Sequence, residues 1–201
     1  IKIGDFPMKP QSLFVAFIVS LSLIGCGGPQ PISLEGPGIE LVQSEREWIM
    51  DRSPEKSGHF RSLAVDNFYD NCEFDIVGGS TEPGDIFYWL GNGIGNWQRQ
   101  QRIQVRADVR YLASGDVNND GYPDLVSSSI GDTKGVHIWI NDNGEFRKGT
   151  PVSEKELYEG LRLADINKDG NLDIIAANSS ATSLGGIQVW LGDGKGYFIP
   201  E

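Results

Sequence analysis

The chain has 201 residues, with 28 acidic against 17 basic side chains and a formal net charge of -11. That acidic excess repels phosphates and anionic headgroups, which argues against nucleic-acid binding and against electrostatic attachment to lipid. Twenty-six glycines and 10 prolines speak against a mostly helical protein, and two cysteines, Cys26 and Cys72, rule out a disulfide-stapled scaffold.

From Met8 the chain reads Met-Lys-Pro-Gln and then an apolar run from Ser12 to Ile24, a basic region followed by a short hydrophobic one. The run is too short to span a bilayer comfortably and lacks the amphipathic spacing of a core helix. Its end, Leu23-Ile24-Gly25-Cys26, resembles the bacterial lipobox, which implies export and a lipid on Cys26. Residues 1–25 are therefore expected to be a signal peptide, with 1–7 as upstream read-through, and 26–38 a lipidated linker rich in proline and glycine. On this reading the protein sits in the bacterial cell envelope, as an outer-membrane or surface lipoprotein. It touches membrane only through the N-terminal anchor, and Cys72 has no intrachain partner.

Beyond the linker, internal repetition decides the fold. Asp116-Val117-Asn118-Asn119-Asp120-Gly121-Tyr122-Pro123-Asp124 recurs 49 residues later as Asp165-Ile166-Asn167-Lys168-Asp169-Gly170-Asn171-Leu172-Asp173. A worn copy starts at Asp66 and runs through Asp70 to Asp75, one residue longer, with Asn71 in the glycine's place. Trp89, Trp139 and Trp190 keep the same phase, and each closes an apolar run ahead of a turn rich in glycine or asparagine. One unit reads as a first strand (110–114), the acidic loop, a second strand (125–129), a third (136–140), a turn, and a fourth near Phe146. In the third strands large apolar groups occupy both faces, so each sheet must be covered on both sides, as in the blades of a propeller.

The expected fold is thus all-β: a partial β-propeller of about three four-stranded antiparallel blades, preceded by the signal segment. An N-terminal strand segment covers 39–60, with Glu47 to Met50 around Trp48 as a detached fourth strand, and the repeats cover 61–109, 110–159 and 160–201. Three units fall short of the usual four to eight blades, so the chain is expected to be part of a longer propeller.

Leu163 to Ile175, which contains the acidic loop, and Val189-Trp190-Leu191-Gly192-Asp193-Gly194-Lys195-Gly196-Tyr197-Phe198 resemble the FG-GAP or VCBS-type repeats of integrin-like propellers. The Phe-Gly-Gly-Ala-Pro wording that named that family is absent. The resemblance implies a calcium ion in each intact loop and, commonly, a surface protein that binds proteins or glycans.

Calcium takes six to eight hard oxygen ligands, and a tight loop turns alternate side chains towards one point. In the second unit Asp116, Asn118 and Asp120 are the side-chain candidates, Tyr122 supplies a backbone carbonyl and Asp124 is the closing carboxylate. In the third unit the corresponding set is Asp165, Asn167, Asp169, Asn171 and Asp173. In the first, Asp66, Asp70 and Asp75 are the counterparts, with metal binding there left open. An EF-hand would need an acid at position twelve and a following helix, but Ser127 and Ala176 stand there, followed by strand-type sequence.

No enzyme is expected. His59 and His137 lack the spaced partners of a zinc site or a triad, and Cys72 lies among Asp70, Glu73 and Asp75, which disfavour a thiolate. The loops 79–85, 130–135 and 179–186 vary between units, which is where recognition usually sits on a common scaffold. The expected function is a calcium-stabilised surface module that binds an extracellular protein or glycan. The alternatives are an accessory or N-terminal part of a polysaccharide-active enzyme, and a spacer in an envelope complex.

Overall fold

The computed structural model describes residues 53, 54, 58–179 and 185–201. The signal segment, Cys26, the linker and the strand around Trp48 lie outside the described residues. Twelve strands form three four-stranded antiparallel sheets, and no helix occurs among the described residues. The first sheet holds β1 (His59–Asp66), β2 (Asp75–Glu82), β3 (Ile86–Gly91) and β4 (Trp97–Ile103). The second holds β5 (Asp108–Gly115), β6 (Asp124–Ile130), β7 (Gly135–Asp142) and β8 (Glu145–Lys148). The third holds β9 (Tyr158–Ala164), β10 (Asp173–Asn178), β11 (Gly186–Gly192) and β12 (Phe198–Pro200). In each sheet spatial order equals sequence order, the meander read from the repeat.

Alternation along the third strands builds the stack. In β7, Val136 and Ile138 face the third sheet, where they join Leu161, Ile174 and Trp190 in one core cluster. Trp139 points the other way, into a second cluster with Val77, Ile86 and Tyr88 of the first sheet. Trp139 thus packs backwards and its aliphatic neighbours pack forwards, so β6 and β7 are buried on both faces, as strands enclosed by two layers must be. Fully burying one such side chain stabilises by about 1.5–3 kcal/mol. The Trp139 indole N–H donates to the buried hydroxyl of Ser127 at 2.9 Å, which satisfies its one polar atom.

The third sheet departs from the expectation of double cover. Ile187 and Ile199 are 70 % and 68 % exposed, although Val136, at the position in β7 that matches Ile187 in β11, is fully buried. The difference is positional: among the described residues no sheet packs against that side of β11.

Candidate metal centre

The three loops between first and second strands share one buried brace. Asp124 is fully buried; its carboxylate accepts the Val117 N–H at 3.0 Å and the Asn141 N–H at 2.8 Å. Asp173 accepts from Ile166 and Gly192, both at 2.9 Å, and Asp75 from Phe68 at 3.1 Å, Gly91 at 2.8 Å and the Tyr88 hydroxyl at 3.0 Å. Each carboxylate ties the loop before it to the end of the third strand, through charge-assisted bonds. Gly91 and Gly192 let the chain come that close: a Cβ there would lie 2.1 Å from the Phe74 carbonyl oxygen or 2.2 Å from that of Leu172. The second sheet carries Asn141 instead, whose side-chain amide donates to the Pro123 and Phe68 carbonyls.

In front of the brace the second and third loops are near copies. The Asp120 N–H is shared by Asp116 Oδ1 at 3.2 Å and Asn118 Oδ1 at 3.1 Å, while Gly121 N–H reaches Asp116 Oδ2 and Tyr122 N–H reaches Asp120 Oδ1, both at 2.9 Å. Asp165, Asn167, Asp169, Gly170 and Asn171 repeat this pattern bond for bond. The side chains at positions one and three thus share the N–H of position five, whose own carboxylate accepts the N–H two residues on, with Gly121 and Gly170 at φ +95° and +92° making the bend. The donor set is all oxygen, which suits a hard cation such as calcium and not zinc. Among the described residues no three histidine, cysteine or acidic side chains converge as a metal cluster. The ninth-position carboxylates are turned inward to backbone N–H groups, so two acids and one amide form the front of each loop.

Burial pushes the Asp124 carboxyl up to about 6, against its two N–H bonds, and the negative charges of Asp120 and Asp116 raise it further. Asp169, fully exposed, is held below the usual carboxylate range by the Asn171 N–H and the Asn167 amide.

These loops also join the sheets. Asn119 donates from its side chain to Asn171 Oδ1 at 3.0 Å, which links one acidic loop to the next. Gly196 N–H, in the turn between β11 and β12, donates to the Val117 carbonyl at 3.1 Å. The Asn141 amide makes the matching reach from the second sheet to Phe68 of the first, at 2.8 Å.

The first loop is registered differently from its sequence alignment. Asp66 pairs across the sheet with Asp75, as Gly115 pairs with Asp124 and Ala164 with Asp173, so Asp66 matches Gly115 and not Asp116. The Glu73 N–H bond to Asn71 Oδ1 corresponds to Tyr122 on Asp120, which puts Asn67, Tyr69 and Asn71 at positions one, three and five. Cys72, at φ 63°, takes the glycine's place, and Asp70 is exposed at the tip. The loop keeps the turn and the brace of Asp75, with no acid at the front positions.

Cys72 is disulfide-bonded, whereas the expectation that it has no intrachain partner holds for a chain acylated at Cys26.

The connections between second and third strands are more structural than their variability suggests. Asp85, 2 % exposed, accepts from the Val105 and Arg106 N–H groups and pairs with Arg102 at 2.6 Å. His137, 2 % exposed, lies 3.0 Å from the Thr133 carbonyl through Nε2, while its Nδ1 is buried with no partner. His59 is exposed beside Glu82 at 3.7 Å. Of the 179–186 connection, 180–184 lie outside the described residues.

No match to a characterised relative was found. A family comparison agrees with the repeat geometry: residues 116–176, from the second acidic loop into β10, match the FG-GAP-like repeat.

Proposed function

We propose that the protein is a calcium-stabilised module of the β-propeller type that binds an extracellular protein or glycan, anchored in the cell envelope, in its reduced form, through a lipid on Cys26. Asp116, Asn118, Asp120, the Tyr122 carbonyl and Asp124 would hold one ion, and Asp165, Asn167, Asp169, the Asn171 carbonyl and Asp173 a second. Asp124 and Asp173 keep acceptor capacity beyond their N–H bonds, since each carboxylate oxygen carries two lone pairs. Bound calcium supplies the positive charge that offsets the mutual repulsion of the acids in each loop. The first loop, with asparagines and a tyrosine at its front positions, is left out of the proposed set.

The observation that carries the reading is the pair of matched oxygen arrays, built into two loops that are hydrogen-bonded to each other, the one containing Val117 also to the turn before β12. Stabilising such a loop stabilises the stacking of neighbouring sheets, and with it the surface that recognition uses. At millimolar calcium, with affinities of order 10⁻⁴ to 10⁻³ M, each site contributes roughly 1 kcal/mol. The test is thermal unfolding of the whole chain in calcium, in magnesium and in chelator. Two sites should raise the midpoint by about 4–8 °C in calcium alone, and identical curves in all three would refute it.

A further inference from the structure

We infer that the outer cleft between the second and third sheets is a binding site for an anionic oligosaccharide, with Arg147 and Lys195 holding its acidic groups and Tyr197 stacking on a sugar ring. The inference rests on the glycan half of the proposed function and names the ligand's chemistry and where it sits. The cleft has a volume of about 540 Å³ and is lined by Arg147, Lys148, Lys195 and Tyr197 over an apolar floor at Ile140. It gathers Arg147 and Lys195 on a chain whose net charge is -11, while Lys148, across from Trp139, is directed to the first-sheet side. Among the described residues neither Arg147 nor Lys195 forms an ion pair. Unpaired cations on one cleft repel one another.

The backbone beneath them is fixed. Arg147 lies across from Ile140 in the β7–β8 pairing, which directs it to the side where the third sheet packs. Lys195 and Tyr197 sit on the turn before β12, where Asp193 Oδ1 accepts both of their N–H groups, at 2.8 and 3.1 Å. Gly196 between them bonds to the Val117 carbonyl, and a Cβ there would come within 3.2 Å of Ile140. Tyr197 is nonetheless 58 % exposed, an aromatic face presented on a rigid turn. A preorganised aromatic surface beside guanidinium and ammonium groups suits a sugar's flat C–H face with a carboxylate or sulfate at its edge. An acidic peptide offers the charge without the flat face.

The corresponding cleft between the first and second sheets makes the contrast. It is lined by Tyr69 and Leu90 where this one has Asn118 and Ile140, and its charged groups are Asp142 and Glu145. The same scaffold position is therefore acidic in one junction and basic in the next, as expected where one junction has a ligand of its own.

Titration calorimetry on the whole chain in calcium, at low and at physiological salt, tests this with tetragalacturonate, a sulfated chondroitin tetrasaccharide, neutral cellotetraose and a phosphorylated acidic peptide. At least one of the two anionic sugars should bind tenfold or more tightly than the neutral one and weaken with salt. Which of them binds identifies carboxylate or sulfate as the recognised group. The double variant Arg147→Ala/Lys195→Ala should lose tenfold or more, Tyr197→Ala a similar factor, and Tyr197→Phe little. Lys155→Ala, a cation outside the cleft, should bind as wild type does. Lys195→Ala alone, on an exposed turn, keeps the test open should the double variant unfold. Preference for the neutral sugar or the peptide, or anionic binding unchanged in the cleft variants, overturns the assignment to this cleft while leaving a binding module in place. Absence of binding by all four probes overturns it too, and the proposed function then stands or falls on protein ligands and on the calcium-dependent melt.

Discussion

Replacing Asp124 by asparagine separates the two roles that its position allows. In the structure its carboxylate accepts two backbone N–H groups in a fully buried setting. Asparagine keeps one oxygen and turns an NH₂ group towards the other donor, so one charge-assisted bond weakens to a neutral one and the second N–H loses its acceptor. A hydrogen bond to a charged group is worth about 1.5–3 kcal/mol, and stranding a buried donor costs about 1–3 kcal/mol. Relief of the desolvated charge returns part of this, which leaves a net loss of about 2–4 kcal/mol. For a domain of this size that corresponds to a fall of roughly 4–16 °C in Tm. The assay is urea and thermal unfolding of wild type and variant, each in calcium and in chelator, with Asp120→Asn as the comparison. The brace predicts that most of the Asp124→Asn loss survives in chelator, whereas the Asp120→Asn loss is confined to calcium. If the two variants behave alike, losing stability only where calcium is present, the bracing argument is wrong and the ninth position serves the ion alone.

Further expectations follow from single positions. Gly192→Ala places a methyl against the Leu172 carbonyl and should cost about 3 kcal/mol or more, while Gly121→Ala, with open space around its Cβ, should cost only the backbone strain of φ +95°, about 1–2 kcal/mol; equal midpoints in urea would contradict this. Burial lowers the pKa of His137 from its ordinary 6.5, with the Thr133 hydrogen bond opposing and Lys148 assisting. The unfolded chain therefore takes up the proton first, and stability should fall as pH drops below about 6.5; His137→Gln should flatten that part of the profile, and parallel profiles would count against it. Palmitate should label the wild-type protein expressed in a bacterial host and leave Cys26→Ser unlabelled. A disulfide within one chain uses both cysteines, so the labelled form should lack it; label retained in Cys26→Ser would overturn the anchor.

Much of the architecture was legible because two periodicities coincide. The acidic pattern and the tryptophans recur in one phase, and alternation along Val136, Ile138 and Trp139 already implied layers on both sides, as the clusters show. Register in the first repeat was not legible: matching aspartate to aspartate aligns Asp66 with Asp116, and only the pairing of Asp66 with Asp75 reveals the shift. The brace was hidden for a related reason. A spacing pattern marks Asp124 as one acid among several, but its partner Asn141 lies 17 residues on, where only the folded turn brings the N–H to it. Asp85 was invisible as a structural residue, since its acceptor role depends on Val105 and Arg106.

The contacts that run from an acidic loop to the following sheet have a mechanical consequence. They join the layers as nearest neighbours in a one-dimensional array, in which each layer's persistence depends on the one beside it. Amide exchange should then be graded: fastest at β11 and β12, whose outer side no sheet covers among the described residues, and slowest in β6 and β7, which are shielded on both sides and open only when the array comes apart.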